Sequence, residues 1–231
     1  NIPMRKRNSN EIASWYDNFY RKRQTKKVAK AELELSPWNK VIADVIKEII
    51  LLSAKSHRLK LLDVGCGSGE LLRYLAKSRI ISCDNLYGVD ISREAINSIV
   101  EIPRENLKVV DIENGELRIF PPNYFDIVVL AEVIEHLQNP VSVLKDIHRI
   151  LRNRGYLIVS FPNYLNIPWL ILRILAEKLN RPEWIVLQPI DKIYTLFHVK
   201  NIIETVGFKF IIVRGTMFLP PILYKYETPS L

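Results

Sequence analysis

Leu61-Leu-Asp-Val-Gly-Cys-Gly-Ser-Gly69 joins an apolar run to three alternating glycines. The run from Leu59 to Val64 predicts a buried strand, and the glycines predict a tight turn into a helix that begins near Glu70. Alternate glycines let the backbone pass close to a ligand, because no Cβ stands between the amide groups and the bound molecule. The free N–H groups at the start of the helix favour a carboxylate or another polar ligand. This stretch therefore predicts a ligand site at the end of the strand.

The type of ligand follows from Asp63, which lies two residues before the first glycine. A carboxylate there would repel the pyrophosphate of a dinucleotide, but it would attract an ammonium group. A nicotinamide dinucleotide site would also need the third glycine one residue later, as G-x-G-x-x-G. The observed spacing is D-x-G-x-G-x-G, with Glu70 where that glycine would stand. The pattern therefore favours a ligand with a cationic group over a dinucleotide.

Further acidic residues follow at the ends of the next predicted strands. Asp90 ends Leu86-Tyr-Gly-Val-Asp and lies 27 positions after Asp63, about the length of one βαβ step. A carboxylate at the end of a second strand can accept both hydroxyls of a ribose. Asp111 closes a short third strand, where it could meet an adenine amino group, and residues 125–131 predict a fourth strand. These positions together predict a nucleoside site.

Together these motifs resemble the class I methyltransferases, which use S-adenosylmethionine (SAM). The resemblance covers about residues 40–215 and is strongest at 61–69, 86–91 and 125–137. It implies a Rossmann-like α/β fold: a seven-stranded, mostly parallel sheet with helices on both faces and a C-terminal antiparallel hairpin. It also implies SAM as the cofactor, bound by Asp63, Gly65, Cys66, Gly67, Gly69, Asp90, Ile91, Asp111, Ile112 and Ala131.

The rest of the chain fits this plan as a single domain of residues 1–231. Strands and helices that alternate predict a parallel sheet with right-handed crossovers. Residues 207–214 and 217–226 predict the closing hairpin, and residues 162–198 an insertion that forms a lid or substrate pocket. Strands are predicted near 59–64, 86–90, 107–110, 125–131 and 155–161, and helices near 70–79, 92–100 and 140–152.

The N-terminal arm, residues 1–35, is basic and helical in pattern. Residues 1–30 hold nine Lys or Arg against two acidic residues. Such an arm either contacts phosphates of RNA, a nucleotide or a lipid, or forms a solvated helix face. Trp15, Tyr16, Phe19 and Tyr20 form an aromatic stripe at helical spacing. The stripe is typical of packing, and the resemblance implies that an N-terminal helix lies over the SAM pocket with a tyrosine near the sulfonium.

The segment after the fourth strand, Glu132-Val-Ile-Glu-His-Leu, carries the candidate catalytic residues. It resembles the Glu-x-x-Glu-His segment of small-molecule O-methyltransferases, including those of quinone pathways. The resemblance implies His136 as the general base, with Glu132 beside the cofactor and acceptor. The alternative is a structural histidine that caps the next helix.

A divalent metal site is a second alternative for this segment. Glu132, Glu135 and His136 would share one face of a helical turn, and His198 would complete the ligand set. Metal-assisted RNA 2′-O-methyltransferases use such a set. The resemblance fails at Lys192, which stands where a second histidine is expected. We therefore predict no metal.

Composition limits the class of protein. The chain has 231 residues, 48% of them hydrophobic, a formal charge of +8, and no apolar run long enough to cross a bilayer. Cys66 and Cys83 fit neither a disulfide framework nor a metal spacing, which suits a reducing, cytoplasmic compartment.

The predicted activity is methyl transfer from SAM to an oxygen of a small molecule. The alternatives are an RNA methyltransferase that uses residues 1–30 and a SAM-binding module without catalysis. The oligomeric state stays open.

Overall fold

A computed structural model of the chain contains five parallel strands in one sheet, in the order β3-β2-β1-β4-β5. It describes residues 8–27, 35–53, 58–162, 171, 174–175, 178–179, 189–190 and 192–215. The strands are β1 (Leu61–Val64), β2 (Leu86–Asp90), β3 (Leu107–Val109), β4 (Phe125–Ala131) and β5 (Leu151–Ser160). The helices are α1 (Ser9–Lys27), α2 (Pro37–Leu52), α3 (Glu70–Lys77), α4 (Arg93–Asn97), α5 (Pro140–Ile150) and α6 (Leu196–Thr205).

The central strands are β1 and β4, and both read as apolar runs because they are covered on both faces. β1 pairs with β2 through Leu61 and Leu86, and with β4 through Leu61 and Ile127. Because all the strands run in the same direction, the carboxyl ends of β1, β2 and β4 lie at one edge of the sheet. The parallel α/β architecture predicted from the sequence is therefore confirmed, and the glycine turn leaves the sheet at this edge.

Helices pack on both faces of the sheet, as predicted. Alternate residues of β1 point to opposite sides, so that Leu61 and Leu62 belong to two separate apolar clusters. The Leu61 side is covered by buried residues of α2, α3 and α4, and the Leu62 side by those of α5 and α6. For the helix that Ser36 and Pro37 open, the apolar spacing of the sequence predicts a buried face of Val41, Val45, Ile46, Ile49 and Ile50. The buried face of α2 in the structure is shifted and consists of Asn39, Ile42, Ala43, Ile46 and Ile49.

Among the described residues, the sheet has five strands where the sequence predicted seven, and the first strand of the predicted closing hairpin is absent. The described part of the chain has five strands, and residues 208–215 form no strand. Ile211 in this segment is 75% exposed. An apolar, β-branched run forms a strand only where a neighbour supplies hydrogen-bond partners, and β5 pairs with β4 alone among the described strands. The second predicted hairpin strand, residues 217–226, lies outside the described residues.

Most of the predicted insertion, residues 162–198, also lies outside the described residues. Its return segment, residues 192–195, is described and leads into α6. Among the described residues, no helix combines the length and the apolar character that a membrane span requires.

Candidate active site

The glycine turn after β1 requires glycine at the positions that the sequence predicted. Gly65 and Gly67 have φ angles of 73° and 52°, in the left-handed region that L side chains rarely adopt. A Cβ on Gly67 would collide with the hydroxyl of Tyr20 in α1. The amides of Gly65 and Cys66 donate to the carbonyl of Val89 in β2, at 2.8 and 3.0 Å. The turn is thus held against β2 and lies directly beneath α1.

Asp90, at the end of β2, organises this turn. Its Oδ2 accepts a hydrogen bond from the amide of Gly67 and its Oδ1 one from the amide of Ser92, both at 2.8 Å. Burial raises the pKa of the Asp90 carboxyl, the hydrogen bonds from the backbone amides oppose this shift, and Asp17 adds to it, with a net pKa of about 6. Asp90 is therefore fixed in one position at the edge of the sheet.

Asp63, in β1, is a buried carboxylate whose Oδ1 has no hydrogen-bond partner among the described residues. Burial, with smaller contributions from Asp90 and Glu70, raises the pKa of the Asp63 carboxyl to about 7. A buried polar atom without a partner is costly, and in native proteins it calls for a specific explanation. A bound cation beside Asp63 would remove this cost, as expected for a carboxylate that binds an ammonium group.

A cavity of about 110 Å³ opens beside Asp63. Five of the predicted cofactor residues line it: Asp63, Gly65, Cys66, Gly67 and Ala131. The other five, Gly69, Asp90, Ile91, Asp111 and Ile112, are not among its lining residues, and Asp90 instead holds Gly67 in place. Tyr20 of α1 also lines it, and the resemblance implied a tyrosine of the N-terminal helix over this pocket. The sequence did not identify the remaining lining residues, which are Arg23, Trp38, Asn39, Ser68, Glu70 and Leu71.

Two of these additional residues bring polar chemistry to the cavity. Asn39 of α2 is 8% exposed, and its Oδ1 has no hydrogen-bond partner among the described residues. It lies on the buried face of α2, which differs from the face that the apolar spacing predicted, so the sequence did not place Asn39 at the cavity. Arg23 of α1 is exposed and approaches from the other side. With Asp63, it offers both charges that a zwitterionic amino acid needs.

Asp111, predicted to contact adenine, caps a short turn in the structure. Its Oδ1 accepts from the amide of Glu113 and its Oδ2 from the side-chain amide of Asn114, both at 3.0 Å. Asp111 is not one of the lining residues of the cavity beside Asp63. Its role as an adenine contact stays a prediction.

Glu132 directly follows Ala131 and adopts a φ angle of 53°, which is uncommon for a residue with a side chain. Its Oε1 accepts a hydrogen bond of 2.7 Å from the hydroxyl of Ser160. The chain then forms a short 3-10 turn, Ile134–His136. The expectation that Glu132, Glu135 and His136 share a helical face is therefore wrong, because the left-handed residue redirects the chain before the turn begins.

His136 is oriented by two contacts. Its Nδ1 lies 2.6 Å from the carbonyl oxygen of Ile190, and because a carbonyl can only accept, Nδ1 carries a proton. Its Nε2 lies 3.5 Å from Oε1 of the buried Glu135. This geometry leaves Nε2 as the nitrogen that can accept a proton, beside a carboxylate that stabilises the resulting cation.

The four residues considered as metal ligands do not form a joint site in the described part of the chain. That part of the chain has no group of three or more His, Cys, Asp or Glu side chains arranged to hold a metal. Glu132 bonds to Ser160, and His198 lies beside its own helix cap, with Nδ1 3.2 Å from Oγ1 of Thr195.

Comparison with known proteins agrees with this architecture. Residues 62–159 match a family model described as a methyltransferase domain. An uncharacterised methyltransferase of Schizosaccharomyces pombe is 34% identical over 110 residues, which cover 42% of this chain and 37% of that protein. The mitochondrial ubiquinone biosynthesis O-methyltransferase of Saccharomyces cerevisiae is 26% identical over 175 residues, which cover 72% of this chain and 54% of that protein. The chain thus spans about half or less of the length of these relatives.

Among solved structures, the magnesium protoporphyrin IX methyltransferase of Synechocystis PCC 6803 has a similar fold. The superposition has a TM-score of 0.65 and covers 92% of this chain and 95% of that protein. The sequence identity is 14%, so this likeness concerns the fold alone.

Proposed function

Since the chain belongs to the class I SAM-dependent methyltransferase superfamily, we propose that it binds SAM and transfers the methyl group to an oxygen of a small molecule. The observation that carries this proposal is Asp63, a buried carboxylate with an unsatisfied oxygen at the glycine turn. An ammonium group is the ligand that such an oxygen fits best. The glycines of the turn after β1 have no Cβ, so a ligand can also approach the backbone closely there.

The residues that line the cavity fit the methionine end of SAM, and the acidic residues at the end of β2 and after β3 would take its nucleoside end. Asp63 would hold the ammonium group of the methionine part, and Arg23 its carboxylate, because these two side chains supply opposite charges to one cavity. Asn39, with an unsatisfied Oδ1, would accept a further hydrogen bond from the ammonium group. Asp90 and Ile91 would bind the ribose, and Asp111 and Ile112 the adenine. Cys66, Gly67 and Gly69 would contact the methionine part from the turn, and Ala131 would lie beside the methionine backbone.

The chemistry needs alignment more than acid–base catalysis. When bound, SAM supplies a methyl group on a positively charged sulfur, which leaves as a neutral thioether. The acceptor oxygen forms its bond to the methyl carbon as the carbon–sulfur bond breaks, so that the protein contributes chiefly by holding the three atoms in line. A base is needed only where the acceptor is a hydroxyl that must lose its proton.

His136 is the residue we propose as that base. Nδ1 is fixed as a donor by the carbonyl of Ile190, and Nε2 would take the proton of the acceptor hydroxyl. Glu135, 3.5 Å from Nε2, would stabilise the imidazolium that forms. Glu132, the residue after Ala131, would help to hold the acceptor. The ubiquinone biosynthesis O-methyltransferases among the relatives are consistent with an oxygen acceptor.

The test is a screen of phenols and other small hydroxylated acceptors with radiolabelled SAM. We expect label in an acceptor from this class and loss of transfer in the Asp63→Asn variant. Retained SAM binding without transfer to any acceptor would favour a non-catalytic SAM-binding module.

A second candidate is an RNA methyltransferase, because α1 exposes the basic residues Arg21, Lys22 and Arg23 next to the cavity. If RNA is the acceptor, its binding falls steeply as the salt concentration rises. RNA binding that does not respond to salt, or label that enters only small molecules, would exclude this candidate. The matched variant replaces Arg21 and Lys22 by glutamine, which removes charge outside the cavity.

A further inference from the structure

The first helix, α1, is attached to the domain by partly buried aromatic side chains and by hydrogen bonds. Among its described side chains, residues 9–23, none is fully buried, and Trp15, Tyr16, Phe19 and Tyr20 are partly buried. Oδ1 of Asp17 accepts hydrogen bonds from the hydroxyl of Ser92 (2.6 Å) and from the amide of Glu94 (3.1 Å). Arg21 also pairs with Glu94 at 2.9 Å, but this pair is exposed, and exposed pairs contribute little. Asp17 thus accepts two hydrogen bonds that join α1 to the residues at the start of α4.

Ser92, the partner of Asp17, is fully buried and connects three parts of the site. Its hydroxyl donates to Asp17 and accepts from the amide of Ala95, which caps α4. Its own amide donates to Oδ1 of Asp90. A single residue therefore links α1, the start of α4 and the carboxylate that we propose for the ribose.

The same face of α1 forms a wall of the cavity. Tyr20, three residues after Asp17 and on the same side of the helix, lies against Gly67. Desolvation, with Asp90 and Cys66 adding to it, raises the pKa of the Tyr20 phenol well above its usual value, so the phenol stays neutral at physiological pH. Arg23 lines the cavity one turn further on. The wall formed by Tyr20 and Arg23 therefore lies within two helical turns of the contact between Asp17 and Ser92.

We propose that Asp17 is a positioning residue: it fastens α1 to Ser92, and this contact holds the wall formed by Tyr20 and Arg23 over the cofactor. The inference rests on the proposed function, because it assigns the cavity to SAM. When α1 is fastened to Ser92, its wall covers the bound cofactor. When α1 is detached, a smaller fraction of the protein molecules can bind the cofactor, so the apparent affinity falls. Asp17 itself need not contact the ligand.

Equilibrium binding of S-adenosylhomocysteine (SAH), measured by calorimetry, tests this inference. Asp17→Ala removes an acceptor of two hydrogen bonds, and we expect it to weaken SAH binding by about 10-fold or more. Asp17→Asn keeps an oxygen that can accept both hydrogen bonds, so we expect affinity between that of the wild type and that of the alanine variant. The matched control is Arg21→Ala, which breaks the exposed pair on the same helix and should change affinity less than about 2-fold.

Hydrogen exchange of the α1 amides, measured without ligand, tests the attachment directly. We expect faster exchange over residues 13–23 in Asp17→Ala and wild-type rates in Arg21→Ala. Asp17→Ala that binds SAH as well as or better than the wild type, or that leaves exchange unchanged, overturns the inference. Failure of the wild type to bind SAH overturns the proposed function instead, while the exchange experiment still decides whether Asp17 fastens α1.

Discussion

Replacing Asp63 by asparagine should make the unliganded protein more stable while it removes the cofactor partner. Burial, with smaller contributions from Asp90 and Glu70, raises the pKa of this carboxyl from 3.8 to about 7, and one of its oxygens has no partner among the described residues. A shift of about 3 pKa units corresponds to about 4 kcal/mol of penalty for the ionised form. The buried amide of asparagine carries its own cost of about 1–3 kcal/mol. We therefore expect Asp63→Asn to raise the free energy of unfolding by about 2 kcal/mol at pH 8.

The pH dependence has a definite sign. Below pH 3.8 the Asp63 carboxyl is protonated in both the folded and the unfolded protein, and it contributes no difference. Between pH 3.8 and about 7 only the folded protein keeps the proton, so the wild type loses stability as the pH rises through this range. Above about 7 the loss is complete. The advantage of the asparagine variant should therefore be small at pH 5 and full at pH 8.

Urea unfolding of the wild type and the variant at both pH values measures this difference. The control is Asp84→Asn, the same replacement at an exposed position, which should leave stability nearly unchanged. In the same samples, SAH affinity should fall by about 10- to 100-fold in Asp63→Asn, because a hydrogen bond to a charged group is lost. An asparagine variant that is no more stable than the wild type at pH 8, or equally more stable at both pH values, would refute this account of Asp63.

Three further replacements test other parts of the site. Asp90→Ala should weaken SAH binding by about 100-fold, because it removes both the ribose acceptor and the partner of the Gly67 amide; wild-type affinity in calorimetry would contradict this. His136→Gln should lower kcat and leave SAH affinity unchanged; unchanged turnover kinetics would remove His136 from the mechanism. Gly67→Ala should cost about 1–3 kcal/mol in urea unfolding, because its Cβ meets Tyr20 and its φ is left-handed; wild-type stability would argue against the packing of α1 on the turn.

The parts of the site that sequence predicted are those set by local structure. The strand before Gly65 and the turn after it depend on neighbouring residues, and the structure has both where they were expected. The sequence could assign Asp63 and Asp90 to the same edge of the sheet, because βαβ connections have a regular length and parallel strands end at one edge. This reasoning needs no knowledge of distant contacts.

The parts that sequence missed depend on distant contacts. The carbonyl of Ile190 orients His136 across 54 positions, and Asp17 meets Ser92 across 75. Neither pair has a spacing that periodicity can reveal. The predicted strand at residues 207–214 failed for a related reason, because its apolar pattern was read without knowing whether a partner strand lay beside it. Asn39 was missed because the apolar spacing of α2 predicted a buried face that does not include it.

Calorimetric titration of the wild-type protein with SAH tests the central claim most directly. The claim is that the turn behind Asp63 holds the amino acid part of this nucleoside. We expect one molecule to bind per chain, with affinity that rises between pH 5 and pH 8, because the ammonium group needs the ionised carboxylate. The absence of heat with SAH, together with binding of a nicotinamide dinucleotide, would contradict the account.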